Sequence, residues 1–180
     1  ADLLSEMVSK GIIPDVVTDQ TSAHDELNGY VPAGYYGDNL AECDELRKAD
    51  PDKYITLSME SMKKHCQAMV EMQSQGAVAF DYGNNLRGQA QKAGFENAFA
   101  YPGFVLAYVR PLFCEGRGPF RWIAQSGNPE DILATDKAIL EMFPDNKLLM
   151  NWIELAEKYL PWEGLPARVC WLGYGERHRF

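Results

Sequence analysis

Apolar residues recur along this chain with two periods, and the switching between them lays out its elements. Leu3, Leu4, Met7 and Val8 fall on one face of a helix that Gly11 stops. The apolar run over residues 12–18 follows it and reads as a strand buried in a parallel sheet, with Pro14 at its start. A polar loop, residues 19–25, comes next. Residues 34–37 form a second loop, after which Asp38 caps a helix that ends before Pro51. From Asp52 to Gln75 the spacing of Ile55, Met59, Met62, Cys66, Met69 and Val70 predicts a long amphipathic helix closed by Gly76. Residues 77–80 are a second short apolar strand. A polar glycine turn, 81–85, leads from it into a helix marked by Leu86, Ala90 and Ala93 and ended by Gly94.

Beyond residue 99 the periods blur into aromatic, proline and glycine residues as far as Trp122, and a domain crossing is placed near Ala107. Asn128-Pro129-Glu130-Asp131 then starts a helix with Ile132, Leu133, Ile139, Leu140 and Phe143 on one face and Pro144 as its stop. A further helix over 147–159 is expected to bury Leu149, Trp152, Ile153, Leu155 and Ala156 and to close at Pro161. Residues 169–172 form a short apolar strand, and Gly173 and Gly175 let the backbone turn sharply beyond it. Short strands that each follow a helix point to an α/β fold: a partial parallel sheet with flanking helices over residues 1–106, joined to part of a second α/β domain over 107–180.

Composition narrows the function classes. The 46% hydrophobic content of 180 residues suffices for a core, and a net charge of -9 with scattered basic residues argues against a nucleic-acid partner. The chain has no long apolar run and no signal-peptide pattern at its start, so a soluble, cytoplasmic protein without a membrane partner is expected. Cys43, Cys66, Cys114 and Cys170 are widely spaced and share the chain with only His24, His65 and His178, so free thiols and no metal site are expected. His65 neighbours Cys66 in sequence but lies about 100° away around the helix, which makes no site. Both ends read as cuts within a longer chain.

Candidate chemistry gathers at three places. The loop over 19–25 follows the first strand, at the sheet edge where open α/β folds bind ligands, though Asp, Thr and Ser in such a loop equally build caps and turns. The turn over 81–85 has the strand–turn–helix geometry that presents backbone N–H groups to a phosphate or carboxylate. Cys170 sits on the last strand between Arg168 and Arg177; cationic neighbours favour its thiolate, burial favours its thiol, and the sequence leaves both open.

Five segments together resemble the urocanase (urocanate hydratase) family: Thr18-Asp19-Gln20-Thr21-Ser22-Ala23-His24, Asn28-Gly29-Tyr30-Val31-Pro32, Phe80-Asp81-Tyr82-Gly83-Asn84-Asn85, Gly118-Pro119-Phe120-Arg121-Trp122 and Ala167-Arg168-Val169-Cys170-Trp171. The sequence departs from the family's usual pattern at Leu106, at Trp162-Glu163 and at Val169, none of which removes a reactive group. The resemblance implies a Rossmann-like domain holding NAD through Gln20, Thr21, Ser22, Ala23, His24, Tyr30, Val31 and Tyr82. It also implies Cys170 at the active site near the nicotinamide and Arg121, with Arg110 as the rival candidate, orienting the substrate carboxylate through the arginine fork. The implied reaction adds water to urocanate to give imidazolone propionate in histidine breakdown. NAD acts in it as an electrophile that attaches to the imidazole and leaves unreduced. The family is usually homodimeric. Because no G-x-G-x-x-G follows a strand here, the segment alone is expected to bind weakly at best and to be inactive. The competing classes are a non-catalytic folding or interaction module and an ordinary NAD-dependent dehydrogenase.

Overall fold

The computed structural model describes residues 1–160 and 164–180, with every described side chain but that of Asp38, and divides into two units, 1–108 and 109–180. The expected cap at Asp38, the closing Pro161 and the departure at Trp162-Glu163 lie outside the described residues.

The first unit contains α1 (Asp2–Ser9), β1 (Val16–Thr18), α2 (Leu40–Ala49), α3 (Pro51–Ser74), β2 (Val78–Phe80) and α4 (Leu86–Lys92). α3 starts one residue before the expected Asp52, where a carboxylate can satisfy its open N–H groups: Asp50 is the cap and accepts from Lys53 N at 3.0 Å. Pro51 occupies the first position, where its missing donor costs nothing. Gly76, at φ 105°, stops the helix and lets the chain turn into β2.

β1 and β2 pair in parallel with Val17 opposite Ala79, and both face Met62, Cys66, Met69 and Met72 of α3. β1 is shorter than the apolar run that predicts it, since Pro14 and Asp15 precede the strand. It is buried on one face only. Val16 and Val78 point the other way and remain 56% and 48% exposed. A further extended segment joins the edge through a parallel bridge between Asp81 and Gly103. This is the helix-flanked, partial Rossmann-like sheet that the strand pattern predicts.

A π-helical turn, Val105–Val109, runs into α5 (Arg110–Cys114). The second unit continues with β3 (Arg117–Ile123), α6 (Pro129–Met142), α7 (Lys147–Tyr159), β4 (Ala167–Gly173) and α8 (Tyr174–Arg179). β3 and β4 form an antiparallel ribbon with Phe120 opposite Cys170 and Arg121 opposite Val169. Both of its strands are edges, which is why Pro119 is tolerated within β3. The core packs Cys170 and Leu172 against Ile139 and Phe143 of the α6 end and Leu149 and Ile153 of α7.

Two expectations need correction here. α7 buries Leu149, Ile153 and Ala156, while Trp152 and Leu155 lie about 100° around the helix and stay 40% and 51% exposed. Gly173 and Gly175 form no sharp glycine turn either; Gly173 is extended, at φ -65° and ψ 150°, and caps α8, where its N–H donates to Glu176 Oε2 at 2.7 Å. Among the described residues no helix is long and apolar enough to cross a membrane.

Candidate functional site

The parallel pairing of β1 and β2 brings two carboxylates side by side where the strands end, Asp19 after β1 and Asp81 after β2. Asp19 is buried and fully engaged. It accepts from the Asn84 amide, from Thr21 Oγ1 at 3.3 Å and from Tyr82 N at 3.4 Å. Burial, helped by the charge of Asp81, pushes its pKa up against the pull of the Asn84 hydrogen bond. Asp81 accepts from Gly83 N at 2.6 Å and lies 3.0 Å from Arg87 Nε. The Arg87 guanidinium also donates to Tyr101 O at 2.8 Å and sits over the Phe99 ring, 4.8 Å from its centre.

Around this polar knot the predicted residues divide into two groups. Gln20, Ser22 and His24 are exposed, Thr21 is half-buried, and the Tyr82 ring is 51% exposed and stacked on Phe104 at 5.6 Å. Asp19 ties these together, being next to Gln20 in sequence and bonded to Tyr82 N. His24 shares a depression of about 230 Å³ with Asp81, Gly83, Asn85, Arg87 and Phe99. Gly83 has φ 96°, and open space lies where a side chain would stand.

Ala23 and Tyr30 lie inside. The Ala23 side chain is buried, and its carbonyl accepts from Gln89 Nε2 at 2.9 Å, so the loop is held from α4. The Tyr30 ring is buried in the core, its hydroxyl 2.9 Å from His65 Nδ1, while Val31 beside it is 48% exposed.

The expected helix N-terminus is partly used up: Asn84 Oδ1 accepts from Leu86 N at 3.2 Å at the start of α4. Asp19, Asp81, Asn84, Arg87 and Gln89 are the site-building residues that sequence reasoning does not single out. The motif at residues 80–85 contains two of them. The pairing of Asn84 with Asp19 across 65 residues appears only with the strand topology.

In the second unit the ribbon separates the two predicted catalytic residues. Cys170 faces inward and is fully buried, and burial, with the nearby Asp136 carboxylate, pushes its thiol up to about 11 against the opposing charge of Arg168. Of the two alternatives the sequence leaves open, the protein in this state carries the thiol. Arg168, on the same inward face, grips Asp136 of α6 with two bonds, Nε to Oδ1 at 2.9 Å and NH2 to Oδ2 at 2.5 Å. Arg177, the other flanking cation, lies over the Phe120 ring at 4.8 Å.

Arg121 points out of the opposite face and is exposed, as is Arg110 on α5. The outward residues Arg117, Ala167, Val169 and Trp171, with Leu148 and Trp152 of α7, line a largely apolar cavity of about 850 Å³. Trp152 Nε1 donates to Val169 O at 2.8 Å and so anchors α7 to the ribbon beside it. All four cysteines are free, and no group of three or more metal-ligating side chains occurs among the described residues.

Comparison with known families agrees with this division of the chain. Residues 1–108 match the family model of the urocanase Rossmann-like domain, and residues 111–180 match that of the urocanase C-terminal domain. With both domain models matched in family order over nearly its whole length, the chain belongs to the urocanase family.

Proposed function

We propose that this chain carries the dinucleotide edge and part of the substrate site of a urocanate hydratase, with NAD along the ends of β1 and β2. The observation that supports this best is the surface made there by Gln20, Ser22, His24 and Tyr82, all turned outward, beside a buried carboxylate, Asp19, that bonds to Thr21 of the loop and to Tyr82 N of the turn. The residues suit the group. The exposed Tyr82 ring offers an aromatic face, Gly83 leaves the backbone open to close approach, and Gln20, Ser22 and His24 supply polar side chains. The two strand-end carboxylates are occupied by protein donors, which limits their repulsion of a pyrophosphate. When bound, NAD supplies an electrophilic ring. The chain's own residues hold it, exclude water from the knot at Asp19, and in the second unit Arg121 orients the urocanate carboxylate.

The test follows urocanate by its ultraviolet absorbance in the full-length protein loaded with NAD. Urocanate is consumed with no net NADH, and Arg121→Ala lowers kcat/KM by about a hundredfold, the loss of a charge-assisted pair worth about 3 kcal/mol. Accumulating NADH would point instead to a dehydrogenase, and untouched urocanate would reject the reading.

The opposed faces of Arg121 and Cys170 favour a second reading for the 180-residue chain by itself. Alone it is a binding module that does not turn over. Titration calorimetry with NAD, beside the absorbance assay, distinguishes binding without turnover from activity.

A further inference from the structure

Four polar residues of α3, Tyr54, Ser58, Ser61 and His65, advance by steps of four, three and four and so lie in one stripe along the helix. Each bonds to the short segment at residues 30–33. Tyr54 OH and Ser58 Oγ both donate to Tyr30 O at 3.1 Å, Ala33 N donates to Ser61 Oγ at 2.8 Å, and the Tyr30 hydroxyl meets His65 Nδ1 at 2.9 Å. All four side chains are buried. The next stripe of the same helix, Met62, Cys66, Met69 and Met72, packs the sheet mainly by apolar contact, with Cys66 Sγ also 3.2 Å from the Tyr101 hydroxyl.

A polar stripe is an expensive way to hold a segment if adhesion is all that is needed. Buried polar groups stabilise little beyond what they lose on leaving water, whereas apolar ones gain directly. His65 makes the point sharply: its Nε2 is buried and has no partner among the described residues, a cost that leucine or phenylalanine would avoid. Directional bonds supply something apolar packing does not, a fixed register of the segment along the helix. The register matters at both ends. Tyr30 and Pro32 turn inward and leave Val31 standing out between them. One residue earlier, Gly29 O accepts from Ser22 N at 3.3 Å, so the anchored segment carries the loop containing Gln20 and His24.

We propose that the Tyr54–Ser58–Ser61–His65 stripe is a positioning device for the dinucleotide edge, with His65 as the hydrogen-bond partner that fixes Tyr30. The stripe touches no ligand itself and acts through Tyr30, Val31 and Gly29. Tyr30 keeps its proton, because burial raises its pKa, and His65 is neutral, so the two share a hydrogen bond between uncharged groups. The proposal rests on the reading of this edge as the NAD site.

The test compares the wild-type full-length protein with His65→Leu, which removes the partner of the Tyr30 hydroxyl, His65→Asn, which returns a polar partner near the Nδ1 position, and Ser58→Ala, which removes one of two donors to Tyr30 O. Amide hydrogen exchange over residues 28–33 and calorimetric titration of NAD into cofactor-free protein are measured for each. In His65→Leu, exchange over 28–33 speeds up while that of α4 is unchanged, and NAD affinity falls about tenfold or more, equivalent to about 1.4 kcal/mol. His65→Asn recovers most of both, and Ser58→Ala, the mildest change, shows a smaller loss in the same direction. Wild-type NAD affinity in His65→Leu, or unaltered exchange over 28–33, would overturn the proposal while leaving the NAD reading intact. A wild-type protein that takes up no NAD, even though exchange responds to His65→Leu, would overturn the cofactor reading and the stripe's role in it together.

Discussion

Gly29 shows how little room the loop at residues 19–29 has. A Cβ built there would stand 1.7 Å from Ser22 O and 2.6 Å from Asp25 O, both backbone atoms that cannot swing aside. Gly29→Ala should therefore displace the loop bearing Gln20 and His24 and lower stability by about 2 kcal/mol or more, read as a drop in the urea midpoint, with NAD affinity falling alongside. His65 has its own signature. Burial, aided by the neighbouring Ala1 amino group, holds its imidazole down to about 4 from an ordinary 6.5. A depressed histidine contributes stability that is present above 6.5 and is lost as pH falls towards 4, because the unfolded chain takes up the proton first. Urea titrations at pH 7 and pH 4.5 should differ in the wild type, and that difference should shrink in His65→Leu. In the second unit, Asp136→Ala would leave the buried Arg168 guanidinium without that carboxylate and should cost about 3–5 kcal/mol by thermal or urea unfolding.

At the level of elements, α7 offers the plainest check on which helix face is core. Ile153→Ala should cost about 2–5 kcal/mol, and Leu155→Ala should stay within about 0.5 kcal/mol, when unfolding of the second unit is followed by tryptophan fluorescence. The apolar period of α7 shows that a helix exists, but eight apolar residues in thirteen make too broad a band to say which of them the core will take. α3 is more legible because its methionine and cysteine positions, Met59, Met62, Cys66, Met69 and Met72, recur every three or four residues along one face. β3 is hidden for the opposite reason: Arg117, Gly118, Pro119 and Arg121 interrupt any alternation, and only pairing with β4 makes the stretch a strand. The site follows the same rule. The loop at residues 19–25 and the turn at 81–85 can each be read from local residue chemistry, whereas Asp19–Asn84, Tyr30–His65 and Arg168–Asp136 join positions far apart in sequence and exist only once the elements pack.

For the whole molecule, the relevant fact is two cores with separate memberships, one built on α3 and the sheet, the other between the ribbon, α6 and α7. Each contains its own sulfhydryl markers. Cys43 and Cys66 are buried in the first unit and Cys170 in the second, while Cys114 is exposed. A thiol-reactive dye should thus consume one equivalent at once, at Cys114, and the other three only as the protein opens. Mass spectrometry assigns each slow adduct to its cysteine, and Ile153→Ala should hasten the adduct at Cys170 while leaving those at Cys43 and Cys66 at the wild-type rate. The enclosed sulfur of Cys170 thereby becomes a clock. Its alkylation rate records how often the second core breathes, and any inactivation by thiol reagents in the full-length enzyme would be timed by that opening rather than by the reagent's strength.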